Sequence, residues 1–294
     1  MRFVGCWLYA INRYGYPPSL EQTFGVLEEY ADMGFRLVEL EGVGGDNLLA
    51  IHRERHRLRA AAEGLGLRVV NFCPILADLV SPEDARRRSA IDLYRLGVEI
   101  AVDLGCDLIQ TDSFAPGLDY GGERPYGDTV AFDRSFPGRL PPGFSWAARW
   151  EGIVSGMRAC AAFAEQAGLR FCLEPRVGES VSNTDALLRL MDRVGPGLDA
   201  VLDCGHLHAQ KENLALSAAK LAGRIAYVHA SDNDGKTNLH LAPGRGTIDW
   251  PGLWQALDGT GFDGYVGVDV GGVADLREQM LEGMRFLESL GVDA

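Results

Sequence analysis

The 294-residue sequence contains no C-x-x-C pair; its six cysteines, at positions 6, 73, 106, 160, 172 and 204, are scattered. In a chain of this length they read as reduced core thiols and not as a disulfide frame, which points to a cytoplasmic setting. Basic residues are scarce, with 28 Lys plus Arg against 41 Asp plus Glu and a net charge of −13. A surface of that sign repels phosphate backbones and argues against a nucleic-acid partner. No apolar run approaches the ~18 residues of a membrane span. The nine apolar residues from Phe3 to Ile11 follow Arg2 but lack a small-residue cleavage site, so they read as a buried strand and not a signal peptide. The dinucleotide fingerprint G-x-G-x-x-G is missing too, since Ala10–Arg13 stands after that first run. Disorder is excluded by an ordinary balance of 47% hydrophobic and 23% charged residues.

What is present is an alternation. Eight short apolar runs predict strands: Phe3–Leu8, Leu37–Leu40, Arg68–Phe72, Leu108–Thr111, Arg170–Leu173, Ala200–Leu202, Ala226–Val228 and Tyr265–Val268. Between them helical periodicity predicts helices over Leu20–Met33, Arg53–Gly64, Pro82–Leu104, Trp146–Ala167, Thr184–Arg193, Ala215–Leu221, Pro251–Asp258 and Asp275–Leu290. Ser81 and Pro82 read as N-cap and first helical residue, and Gly105, Gly168 and Gly291 as helix stops. Short strands alternating with helices imply a parallel sheet, and eight units favour an α/β fold of one closed (β/α)₈ barrel over residues 1–294. One segment breaks the rhythm. Residues 113–144, rich in Gly, Pro and aromatics, form an insertion after the fourth strand, on the face where barrel enzymes keep their chemistry. A lid over the mouth and an inert surface insertion are equally compatible with that composition.

The late strands share a pattern at their ends. The fifth ends in Glu174, the sixth in Asp203 with His206 following, the seventh in His229, and the eighth in Asp269. A lone strand-end Asp or His is ordinarily a helix N-cap or a satisfied turn residue. Four in phase on consecutive strands point instead to one barrel-mouth site. Three carboxylates and an imidazole suit a divalent ion of intermediate hardness, such as Mn²⁺, Mg²⁺, Co²⁺ or Fe²⁺. Structural zinc sites favour cysteine, which these positions lack; Mn²⁺ is the first expectation, and Zn²⁺ stays among the alternatives.

These residues carry a resemblance. Val38-Glu39, Leu173-Glu174-Pro175, Asp203-x-x-His206, Val228-His229 followed by Ser231-Asp232-Asn233-Asp234-Gly235, and the run from His240 through Pro243-Gly244-Arg245-Gly246 to Asp249-Trp250 are similar to the xylose isomerase-like TIM-barrel superfamily of sugar phosphate isomerases and epimerases. The resemblance spans the chain apart from residues 113–144. It implies that Glu174, Asp203, His229 and Asp269 ligate the metal, that His206 contacts substrate, that Glu39 is a polar group of the mouth, and that His240 opens a loop closing beside the seventh strand. Two departures stand out. Asp269 replaces the Glu of the ketose epimerases and is shorter by one methylene, roughly 1.5 Å of reach. Asn238-Leu239-His240 stands where multi-metal relatives have Asp-x-His, and Asn71 and Asp112 stand where the multi-zinc DNA-repair endonucleases have histidines. With the acidic balance, this disfavours a nuclease.

Other features read plainly. His52 and His56 lie at i and i+4 but not in H-E-x-x-H order, so they belong to a solvated helix face. The Gly42–Gly45 cluster reads as a flexible βα turn, Gly244-Arg245-Gly246 as a closing loop, and Asp249 as an N-cap. Lys236 and Arg176 are the basic candidates near the mouth for substrate binding. The leading expectation is a metal-dependent isomerase or epimerase of a ketose or polyol ketone. Glu174 would abstract the proton, Asp269 act on the other face, and His206 donate to the oxygen gaining charge, with Glu39, Lys236 and His240 also contacting substrate. A lyase, either a dehydratase or a C-glycoside-cleaving subunit, shares the first half-reaction. A barrel serving only as a scaffold is the third reading, and the intact acidic set argues against it. The expected partner is a small sugar or polyol, with no membrane; a homo-oligomer stays open.

Overall fold

The eight apolar runs pair in chain order into a closed parallel barrel, β1 against β8 included. The computed structural model describes residues 2–126 and 136–291. The strands are β1 (Arg2–Gly5), β2 (Leu37–Val43), β3 (Arg68–Ile75), β4 (Leu108–Thr111), β5 (Arg170–Leu173), β6 (Asp199–Asp203), β7 (Ile225–Ala230) and β8 (Tyr265–Val268). The helices are α1 (Leu8–Tyr14), α2 (Leu20–Met33), α3 (Gly44–Gly64), α4 (Asp84–Leu104), α5 (Trp146–Gln166), α6 (Thr184–Val194), α7 (Cys204–Ala209), α8 (Leu214–Lys220), α9 (Trp250–Gly259) and α10 (Leu276–Ser289). This is the (β/α)₈ architecture that the alternation predicts. Among the described residues no helix is long and apolar enough to cross a membrane, and all six cysteines are buried free thiols.

Differences from the sequence expectations have local causes. The Phe3–Ile11 run is two elements: β1 stops at Gly5 and α1 starts at Leu8, because an apolar run buried on every side carries no period to reveal its break. Helix α3 starts at Gly44, nine residues before Arg53, since its first turns lie partly exposed and mix both kinds of residue. Helix α4 starts at Asp84, and the Ser81 hydroxyl accepts instead from the Glu83 amide. Gly105, Gly168 and Gly291 do take the left-handed conformation at helix ends, and Asp249 caps α9 by accepting from the Gly252 amide. His52 pairs with Glu99 across to α4, as a helix face would.

Two apolar layers position the site. The larger lies between barrel and helices. The smaller plugs the lower barrel with Val4, Cys6, Leu108, Cys172, Val201, Tyr227 and neighbours. Side chains in a strand alternate with a period of two, so the inward residues one step above this plug are Gln110, Glu174, Asp203 and His229. Asp203 and His229 are direct register partners. Opposite His229 stands Gly267, where an added Cβ would collide with the Cys6 sulfur and the Tyr227 ring.

Candidate active site

At the mouth, Glu174, Asp203 and His229 each bring one ligand atom to within 4.8 Å of the others. His229 Nδ1 lies 3.5 Å from Glu174 Oε2 and 3.8 Å from Asp203 Oδ2. Ligands about 2.1–2.3 Å from a shared divalent ion stand about 3–4 Å apart, so the spacing fits one. Asp203 Oδ1 accepts the His206 amide as the cap of α7, whereas its Oδ2 is buried without a hydrogen-bond partner, as is His229 Nε2. Buried polar atoms are ordinarily paired, and an orphaned carboxylate oxygen aimed at a second carboxylate and an imidazole suits a cation. Asp269 stands apart from this trio: its ligand atom groups with those of His229 and Cys6, and its Oδ2 lies 2.9 Å from His240 Nδ1.

The electrostatics agree. Burial and then the neighbouring Glu174 push the Asp203 carboxyl well above the ordinary range. Burial also opposes ionisation of Glu174, but the facing His229 more than offsets it and holds the carboxyl well below its usual value. Burial opposes a charge on His229, yet Glu174 and Glu39 outweigh it and raise the imidazole well above its usual range. The chain thus keeps protons where a cation would place charge. Burial drives His206 far below the usual range, so its ring is neutral. Its Nδ1 accepts the Val177 amide at 3.2 Å, which leaves the proton on Nε2, 3.6 Å from Glu174 Oε1.

A cavity of about 430 Å³ opens over this group. Glu39, Gln110, Glu174, His206, His229, His240 and Asp269 line its floor. Its far wall includes Tyr16, Glu41, Asp112 and Arg176, with Arg176 paired to Asp112 and stacked 4.2 Å over the Tyr126 ring. Phe114 and Tyr126, from the insertion, line it as well, and both hold left-handed backbone. The Tyr126 hydroxyl donates to the Val177 carbonyl at 2.7 Å. Phe132 lies outside the described residues. Lys236 is exposed and is not among the cavity-lining residues, and Arg245 turns outward to Glu282. The loop after β7 is tied down by buried Asp232, which accepts from the amides of Asn233, Gly244 and Ile248 and from the Trp250 indole. A short antiparallel bridge from His240 to Gly271 returns that loop over the mouth. The sequence reading did not single out Gln110, Glu41 or Tyr16. The two-residue period would have found the first, since Gln110 follows inward Leu108 as Glu174 follows Cys172.

The xylose isomerase-like TIM barrel family model matches residues 27–290. An inosose dehydratase of Lacticaseibacillus casei is 26% identical over 138 residues, 41% of this chain and 46% of that protein. The match therefore spans less than half the length of the curated relative. A fructoselysine 3-epimerase of Shigella flexneri is 19% identical over 222 residues, 73% of this chain and 72% of that one. The crystal structure of D-psicose 3-epimerase with D-tagatose from Clostridium cellulolyticum H10 superposes with a TM-score of 0.75 at 18% identity, covering 100% of both chains. At that identity the likeness is one of fold.

Proposed function

The chain belongs to the xylose isomerase-like TIM barrel family, and on that premise we propose that it is a divalent-metal-dependent isomerase or epimerase of a ketose or related polyol ketone. The observation that carries the reading is the trio Glu174, Asp203 and His229 around an orphaned carboxylate oxygen. These three would hold the ion, with Asp269 as the fourth group. A divalent ion there supplies positive charge to a carbonyl oxygen and its neighbouring hydroxyl.

The chain's own residues do the rest. Glu174 takes the proton from the carbon beside the carbonyl, and its orientation is fixed by the Gln110 amide donating to Oε2 at 3.0 Å. The His206 Nε2–H donates to the oxygen that gains charge. Asp269, linked to His240, returns the proton on the opposite face. Phe114 and Tyr126 wall the cavity with aromatic surface that suits the C–H faces of a sugar and excludes water. We extend this to the insertion's described residues near the cavity, Phe114 to Ala115 and Arg124 to Tyr126, as a cover for the mouth, residues 127–135 lying outside the described residues. The paired state of Arg176 and the exposure of Lys236 leave the floor acidic, which suits a hydroxyl-rich substrate. The second reading is a dehydratase sharing the same proton abstraction, favoured by the sequence match to inosose dehydratases.

One experiment separates these readings: a screen of ketoses and keto-inositols with Mn²⁺ in D₂O. Deuterium entering beside the carbonyl with no group expelled supports the epimerase. Exchange with loss of water selects the dehydratase. No bound ion, no Mn²⁺-dependent thermal shift and no exchange would leave only a scaffold.

A further inference from the structure

The cavity continues above the level of the trio. Inward side chains recur every second residue, so the next layer holds Glu41, Asp112 and Arg176, two positions beyond Glu39, Gln110 and Glu174 on β2, β4 and β5. All three line the cavity. In the closed strand order β2 lies opposite β6, which carries Asp203. A ligand with one end at the trio therefore extends toward this layer with its other end.

The charged groups of the layer are unequally partnered. Arg176 Nη1 donates to Asp112 and stands 3.8 Å from Glu179. Its Nε makes no hydrogen bond and stands 3.9 Å from Glu174 Oε1, and its face covers the Tyr126 ring. None of these ion pairs goes to Glu41. The Glu41 Oε2 atom is buried without a hydrogen-bond partner. Buried polar atoms are ordinarily paired, so an unmatched one in a cavity wall points to a group that a ligand supplies.

The chemistry of that group follows from the wall. Burial, then the neighbouring Glu39 and Asp112, push the Glu41 carboxyl well above its usual range. A protonated carboxyl both accepts and donates, whereas a carboxylate only accepts. A hydroxyl satisfies either state, because it does both as well. A phosphate satisfies neither. A carboxylate repels it, and beside a neutral carboxyl its charge is left uncompensated, since the one guanidinium of the layer already faces carboxylates.

We propose that Glu41 is a specificity-determining residue: it hydrogen-bonds the hydroxyl at the end of a ketose remote from its carbonyl, and the layer it shares with Arg176 excludes ketoses phosphorylated at that end. The assignment rests on the proposed function for the direction in which the substrate lies.

The test reads binding apart from turnover. In the presence of Mn²⁺, wild type, E41Q and E41M are titrated calorimetrically with the four D-ketohexoses, their 6-phosphates and their 6-deoxy analogues. At least one free ketohexose should bind wild type, and its 6-phosphate should bind at least about 10-fold more weakly. E41Q keeps a donor and an acceptor and should hold the affinity for the free sugar within about threefold. E41M keeps the length with neither and should lose about 5- to 10-fold. On the 6-deoxy analogue wild type and E41M should bind alike, since the partner hydroxyl is gone. The free protein gives Glu41 Oε2 no partner, so E41M should keep or raise the melting temperature, where a structural carboxyl predicts a fall. A 6-phosphate bound as tightly as its free sugar would overturn the proposal. So would an E41M loss that persists on the 6-deoxy analogue, a lowered melting temperature in E41M, or no ketohexose bound at all. Binding that depends on Glu41 in this way, with no deuterium exchange beside the carbonyl, would support the assignment and count against the proposed reaction instead. Exchange with no dependence on Glu41 would do the reverse.

Discussion

The two halves of the barrel mouth are built from the same kinds of residue and reach opposite ends. On the side of β2 to β4 a chain of hydrogen bonds links the polar groups, with only Asn71 Oδ1 and Glu41 Oε2 of β2 and β3 left over. Trp7 N–H and Asn71 donate to Glu39, Asn71 also donates to Gln110, and Gln110 donates onward to Glu174. On the side of β5 to β7 Asp203 Oδ2 makes no hydrogen bond and stands 3.8 Å from His229 Nδ1, while His229 Nε2 reaches back only to Glu39 Oε2 at 3.6 Å. A chain of hydrogen bonds is scaffold, holding its members in one geometry. An unpaired carboxylate oxygen grouped with a second carboxylate and an imidazole is a place for a cation to bind. Glu174 is where the two halves meet, positioned from one side and reactive toward the other.

The largest effect should come from breaking the open half. Asp203→Asn keeps the Oδ1 acceptor that caps α7 but replaces the orphaned Oδ2 by a donor. Divalent-ion affinity should weaken by more than 100-fold, beyond the loss typical of outer-shell partners, while the melting temperature stays within a few degrees of wild type; calorimetric titration and thermal unfolding measure the two. Unfolding on the scale of a core deletion would make Asp203 structural.

Covering the mouth comes next. Replacing residues 117–141 by a short Gly-Ser link removes Tyr126 and its contact with Val177. Turnover should drop tenfold or more with metal affinity kept; unchanged kinetics would return the insertion to an inert surface element.

The closed half should yield a smaller loss. Gln110→Ala cuts the chain just before Glu174, and a fall of about 10-fold in kcat or metal affinity is expected, at the low end for outer-shell residues. A change equal to that of Asp203→Asn would erase the distinction between the two halves.

The smallest effect is on stability. Burial and the neighbouring Asp112 push the Glu179 carboxyl up to about 8, against the pull of Arg176. Between its ordinary value of 4.5 and about 8 the native state holds a proton that the unfolded chain has lost. Its contribution is therefore fully present at low pH and is lost as pH rises through that window. Glu179→Gln should flatten the decline in melting temperature over that range; an unchanged slope would place the titration elsewhere.

Much of this site was legible because strands buried on both faces leave few reasons for a polar residue. Glu174, Asp203 and His229 each end an apolar run, and the structure brings all three together. Asp269 shares His229 with the trio but turns its carboxylate toward Cys6 and His240, an arrangement that strand-end phase does not distinguish. The far wall was harder to read. Glu41 and Tyr16 come from segments whose inward direction depends on the β2 register and on a loop path, and neither leaves a period in the sequence. Asn238 was visible only as a departure from Asp-x-His, since its place beside both His206 and His240 depends on helix α7 and the loop after β7 being brought together by the fold. The early helix boundaries failed at Trp7, where burial hid the change of period, and at Gly44, where the partly exposed first turns mix both kinds of residue.

The central claim is that the open half of the mouth holds one divalent ion. A crystal grown with Mn²⁺ and measured for anomalous scattering tests it most directly. The account predicts a single strong peak within about 2.0–2.6 Å of Glu174, Asp203 and His229. Full Mn²⁺ exposure with no peak there, or a peak whose ligands exclude these three, would contradict it.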